Sequence, residues 1–95
     1  MDNQHKQIKG YRDLNQYEID LMNRIKAHAE QTGELAIEIK NYITQQGVSA
    51  LHEGSQDELD RLMAADPEGI HTEATMKLKT GFMLLVRSVA QPTTF

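Results

Sequence analysis

The sequence predicts an all-α fold: an antiparallel helical hairpin with a short N-terminal segment, assembled as a homo-oligomer. Helix formers dominate its 95 residues, while Gly and Pro number only six and two. Two long stretches repeat apolar residues at the helical period, and none alternates as a strand does. Each stretch also carries more apolar surface than one neighbouring helix covers, so a further contact is required. By length the chain is a single domain, 1–95.

The first helix is predicted to open at Gln16. Asn15 and Glu18 have capping-box spacing, and Leu14 and Ile19 are placed for a hydrophobic staple. Tolerable helix formers continue to Gln46, with Gly47 as the expected stop. That is about 45 Å of helix at 1.5 Å per residue. Leu21, Met22, Ile25, Ala29, Thr32, Leu35, Ala36, Ile39, Tyr42 and Ile43 share one stripe. Ile19 and Ile37 fall off it, with Lys26 and Gly33 between them, and mark a second, narrower edge.

Gly47–Ser55, GVSALHEGS, is expected to turn. Ser55 and Glu58 form another capping box, opening a short helix that ends near Ala65. Asp66-Pro67 reads as an N-cap followed by proline in the first helical position. The last helix then runs to about Ala90, where Pro92 stops it. Ile70, Ala74, Leu78, Gly81, Phe82, Leu85 and Val89 form its main stripe. Met76, Met83 and Ala90 recur at seven-residue spacing on nearly the opposite side. Two apolar sides on one helix of so small a protein call for self-association.

Composition excludes several function classes. The net charge of −4 argues against a general DNA binder. With no cysteine there is neither disulfide nor thiolate metal site, and a reducing compartment suits the chain. No run is apolar enough to span a membrane, and MDNQHKQIKG lacks a signal peptide's apolar core. A soluble cytoplasmic protein is expected. His5, His28, His52 and His71 are scattered, without metal-ligand spacing. Ser49, Ser55 and Ser88 have no nucleophile-elbow context, and no phosphate-binding glycine loop exists. The expectation is a protein that is not an enzyme and that needs no metal or cofactor.

Binding has better support. IKGYRDL, Ile8 to Leu14, sets a glycine and an aromatic ring between Lys9 and Arg12, inside an acidic protein. Tyr11 could stack on a nucleobase, an interaction of about 1–3 kcal/mol that tolerates any base. Lys9, Arg12 or Lys26 could meet phosphate oxygens. The plainer reading is that Tyr11 packs over the helix start and Lys26 snorkels from a stripe edge. Periodicity and spacing leave both open, and they equally allow a hairpin that meets another protein.

Two segments, Asn3 to Lys26 and Gly81 to Phe95, carry a more specific signal. NQHKQIKGYRDLNQYEIDLMNRIK and GFMLLVRSVAQPTTF resemble the phage anti-CBASS sponges, whose hairpin domain is shared with anti-Thoeris sponges. CBASS is a bacterial antiphage system that signals with cyclic oligonucleotides. The resemblance covers about 40 of the 95 residues. It implies a protein that sequesters cyclic dinucleotides of the 3′,3′-cyclic GMP–AMP type in the infected host's cytoplasm, without cleaving them. It further implies a hexamer of two trimers, with dinucleotides bound between protomers and cyclic trinucleotides near the threefold axis. Tyr11 matches the family's base-stacking tyrosine and Lys26 its pocket lysine, with Lys9, Gly10 and Arg12 flanking the ring. The shared domain also admits cyclic ADP-ribose isomers as ligands. One position departs from the pattern. Many members place an arginine after Asp-Pro, where this chain has Glu68, a charge that opposes a phosphate-rich trinucleotide.

Overall fold

The computed structural model describes residues 12–94 and forms three helices within them: α1 Gln16–Glu53, α2 Gln56–Ala65 and α3 Pro67–Ala90. No strand occurs among the described residues.

Both arms of the first capping box form. Asn15 Oδ1 accepts from the Glu18 backbone N–H at 2.9 Å, and Glu18 Oε1 accepts from the Asn15 N–H at 3.0 Å. Two of the donors that a helix start leaves unpaired are thereby satisfied.

The far end of α1 differs from expectation. The helix passes through Gly47 and continues to Glu53, so the predicted turn at Gly47–Ser55 is mostly helix. A helical glycine costs only about 1 kcal/mol relative to alanine, and the next turn offsets it by burying Ala50. The stop is Gly54, in left-handed backbone with φ 68°. Its N–H donates to the Leu51 carbonyl at 3.2 Å, and the Ser55 N–H to the Ala50 carbonyl at 3.0 Å. This is the Schellman pattern, which favours a residue free of a Cβ at its centre. Gly54→Ala is expected to cost about 1–2 kcal/mol, the strain of a Cβ in that conformation. A urea melt checks it: the midpoint should fall at unchanged slope.

The two remaining starts form as the sequence predicts. Ser55 Oγ accepts from the Glu58 N–H at 3.3 Å and opens α2. Asp66 then joins two helices. Its N–H closes α2 on the Leu62 carbonyl at 2.9 Å, and its Oδ1 accepts from the Gly69 N–H at 3.2 Å. A Cβ at Gly69 would lie 2.2 Å from Asp66 Oδ2, so a larger residue there would require the Asp66 side chain to shift. At the other end of α3, Gln91 adopts φ 51° and Pro92 prevents continuation.

The chain divides into two compact units. One, in its described part, holds 12–30 and 79–94; the other is Gln31–Leu78. In the first, the start of α1 lies beside the end of α3, where Arg12 donates to the Val89 carbonyl. In the second, α1 and α3 run antiparallel. Ile43 shares a groove with Pro67 and Glu68, whereas Ala36, earlier on α1, accepts from His71 Nε2 at 2.7 Å. The helical, hairpin-like arrangement therefore agrees with expectation.

Among the described residues Ala50 is the only fully buried hydrophobic one. Ile37, Met76 and Met83, all on the predicted surplus edges, are 64%, 64% and 70% exposed. Leu35, Ile39, Tyr42, Ile70, Leu78 and Leu85 are exposed too, although the sequence places them on the main stripes. Leu21, Met22, Ile25, Ile43, Phe82 and Val89 on the same stripes are half-buried, so the described residues cover the main stripes only in part.

Candidate functional site

Of the five candidate binding residues, Lys9, Gly10 and Tyr11 lie outside the described residues. Arg12 and Lys26 belong to the same unit, that of 12–30 and 79–94.

Arg12 is engaged on two sides. Its Nη1 donates to Glu18 Oε1 at 3.2 Å, and its Nη2 to Glu18 Oε2 in a short ion pair. The same Nη2 donates to the Val89 carbonyl at 2.8 Å. Val89 sits in the last turn of α3, where carbonyls have no intrahelical partner. One planar guanidinium thus bridges the first turn of α1 and the last turn of α3, a task its fixed fork suits. Arg12 Nε is enclosed without a partner among the described residues.

The side chains of Arg12 and Glu18 are 38% and 18% exposed, so the pair is partly shielded from water. The hydrogen bond from Arg12, then the one from the Asn15 backbone N–H, hold the Glu18 carboxyl below the usual carboxylate range. The same contact with Glu18 raises Arg12 above its ordinary value. Glu18 was legible as a cap from its spacing to Asn15. Its second bond, to an arginine six residues earlier, has no periodic signature and shows only in the folded chain.

Lys26 is exposed on α1 and makes no ion pair among the described residues. Ile19 and Gly33 lie seven residues to either side of it, on one edge of the helix. A Cβ at Gly33 would meet nothing within 4 Å, so α1 is open at that position among the described residues. An exposed ammonium can meet an anion brought there by another molecule.

The second unit has different chemistry. A groove of about 340 Å³ is lined by Ile43, Leu59, Leu62 and Met63, with Asp66 and Glu68 at its rim. A second hollow of about 300 Å³ carries Glu53 and Glu58 among its polar residues. Neither presents a cation to an anionic ligand. Glu68, the departure noted in the sequence, opens α3 and adds to this negative rim.

Among the described residues no three His, Asp or Glu side chains gather as a metal site. No described helix is long and apolar enough to cross a membrane.

No protein-family model matches the sequence. A curated relative does: Anti-CBASS protein 2 of Pseudomonas phage JBD67 is 41% identical over 105 aligned positions, covering 97% of this chain and 97% of the relative.

Proposed function

Since the chain belongs to the family of Anti-CBASS protein 2, we propose that it is a phage protein that blocks CBASS immunity by binding cyclic dinucleotides and withholding them from the host effector. The match along nearly the full length of both chains carries this reading. It extends well beyond the two end segments, Asn3 to Lys26 and Gly81 to Phe95.

In this reading the site lies between protomers in the cytoplasm of the infected bacterium. Tyr11 stacks on a base, and Lys26 meets a phosphate from the open edge that Ile19 and Gly33 flank. Lys9 and Gly10 shape the approach of the ring. The exposed apolar residues of both units become the surfaces through which copies associate into the hexamer. Nothing is cleaved: sequestration needs only abundance and tight binding. A ligand enclosed between subunits is shielded from solvent and from the effector together. The carboxylates of Asp66 and Glu68 disfavour a phosphate-rich trinucleotide at that end of α3.

A thermal-shift panel tests this. It compares 3′,3′-cyclic GMP–AMP, a cyclic trinucleotide and a cyclic ADP-ribose isomer. A ligand bound only to the native state at a hundredfold its Kd adds about 2.7 kcal/mol of stability. For a domain of this size that is a shift of roughly 10 °C or more. The dinucleotide should produce it and be recovered intact after the protein is denatured. Recovery of a linear product would indicate an enzyme. No shift with any ligand would favour a hairpin whose exposed faces meet a host protein.

A further inference from the structure

We infer that the contact of Arg12 with Glu18 and the Val89 carbonyl is a latch: it holds the unit of 12–30 and 79–94 closed, and its release opens that unit while Gln31–Leu78 stays folded.

No covalent link joins the two helix segments within this unit, since the chain connects them only by way of Gln31–Leu78. Non-covalent contacts alone keep the start of α1 beside the end of α3. The apolar packing there is shallow. Leu21, Met22, Ile25, Phe82 and Val89 are half-buried, and Ala50, the fully buried hydrophobic residue, belongs to the other unit. A region with few buried apolar contacts opens locally at a lower free energy than the rest of its domain. A polar contact across its end then carries more of the closure than it would above a deep core.

The contact is suited to that task. Each charge stands at the helix end that favours it: the Glu18 carboxylate in the first turn of α1, and the Arg12 guanidinium on a last-turn carbonyl of α3. Nη1 and Nη2 face the two oxygens of Glu18, and Nη2 also donates to the Val89 carbonyl at 2.8 Å. Glu18 is fixed in turn, because its Oε1 accepts from the Asn15 N–H at 3.0 Å. The ion pairs Glu58–Arg61 and Glu73–Lys77, by contrast, each lie within one helix. The edge of Arg12 that would grip a phosphate is occupied by Glu18, so in the closed unit Arg12 is a structural cation rather than an anion site.

Residue-resolved hydrogen exchange on the full chain tests the latch. Arg12→Lys keeps the charge but loses the fork that makes all three bonds. Glu18→Gln keeps an oxygen for the Asn15 N–H but loses the charge that holds Arg12. In both variants the amides of 19–25 and 86–91 should exchange roughly fivefold faster or more, the effect of a charge-assisted bond discounted for its partial exposure. Amides of Gln31–Leu78 should keep their wild-type rates. Lys77→Gln, which breaks an exposed pair within α3, should leave the rates of 19–25 and 86–91 unchanged. Wild-type rates at 19–25 and 86–91 in Arg12→Lys overturn the inference. So does an equal acceleration in both units, which would mean that the chain opens as one. Acceleration in Glu18→Gln alone assigns the effect to the helix cap and likewise refutes the latch. Should Glu18→Gln fail to fold, Arg12→Lys decides alone: faster exchange confined to the first unit supports the latch, and any other pattern refutes it.

Discussion

Tyr11→Ala is expected to weaken cyclic-dinucleotide binding by between about fivefold and a hundredfold, with the oligomer intact. The range follows from the stacking energy of a base on an aromatic ring, about 1–3 kcal/mol per base, at 1.4 kcal/mol per factor of ten. Tyr11 lies outside both helical stripes read from the sequence. Lys26→Ala should produce a comparable loss by a different route. A hydrogen bond from a charged donor to phosphate contributes about 1.5–3 kcal/mol when shielded from water. In the single chain Lys26 is exposed, so removing its ammonium leaves no partner stranded. The two effects should also differ in character. The lysine loss should reduce the salt sensitivity of binding, whereas the tyrosine loss should not. Calorimetry at two ionic strengths, beside light scattering, measures both. Wild-type binding by both variants would sink the site assignment.

A charge on the surplus apolar edge should break the proposed assembly. Ile37→Glu and Met83→Glu each replace a side chain that is largely exposed in the single chain. Either glutamate is well tolerated on an isolated helix. In an interface between copies it becomes a buried carboxylate without a partner, at a cost of several kcal/mol in each protomer. Symmetry repeats that cost at every equivalent contact. Light scattering should therefore show a fall in mass, and the melting temperature should drop by many degrees. Dinucleotide binding should be lost together with the mass, because the proposed pocket is shared between protomers. A wild-type protein that is monomeric at micromolar concentration, or variants of unchanged mass, would show that these residues serve another partner.

The local grammar of the chain was readable in advance. Asn15, Ser55 and Asp66 were identifiable as caps from residue type and spacing, and all three accept the backbone N–H three residues on. Such bonds are short-range, so local sequence is enough to specify them. The end of the first helix was not readable in the same way. Gly47 and Gly54 are both acceptable stops by composition. The choice depended on whether the turn between them had something to pack, and Ala50 does. That contact is not encoded within the segment.

The same division runs through the candidate site. Tyr11 and Lys26 could be named from the sequence because the motif around them is contiguous and its chemistry is a property of residue types. Arg12 could be named too, but only as a cation near the ring. Its partners, Glu18 and the Val89 carbonyl, are six and 77 residues away. No periodicity links them, and only the folded chain brings the end of α3 to the start of α1. The sequence by itself determined the helices, their caps and the presence of more apolar surface than one chain covers, since these follow from local propensity and spacing. The tertiary structure decided where α1 stops, which stripes stay open and that Arg12 is held by a carboxylate, since each depends on residues distant in sequence meeting in space.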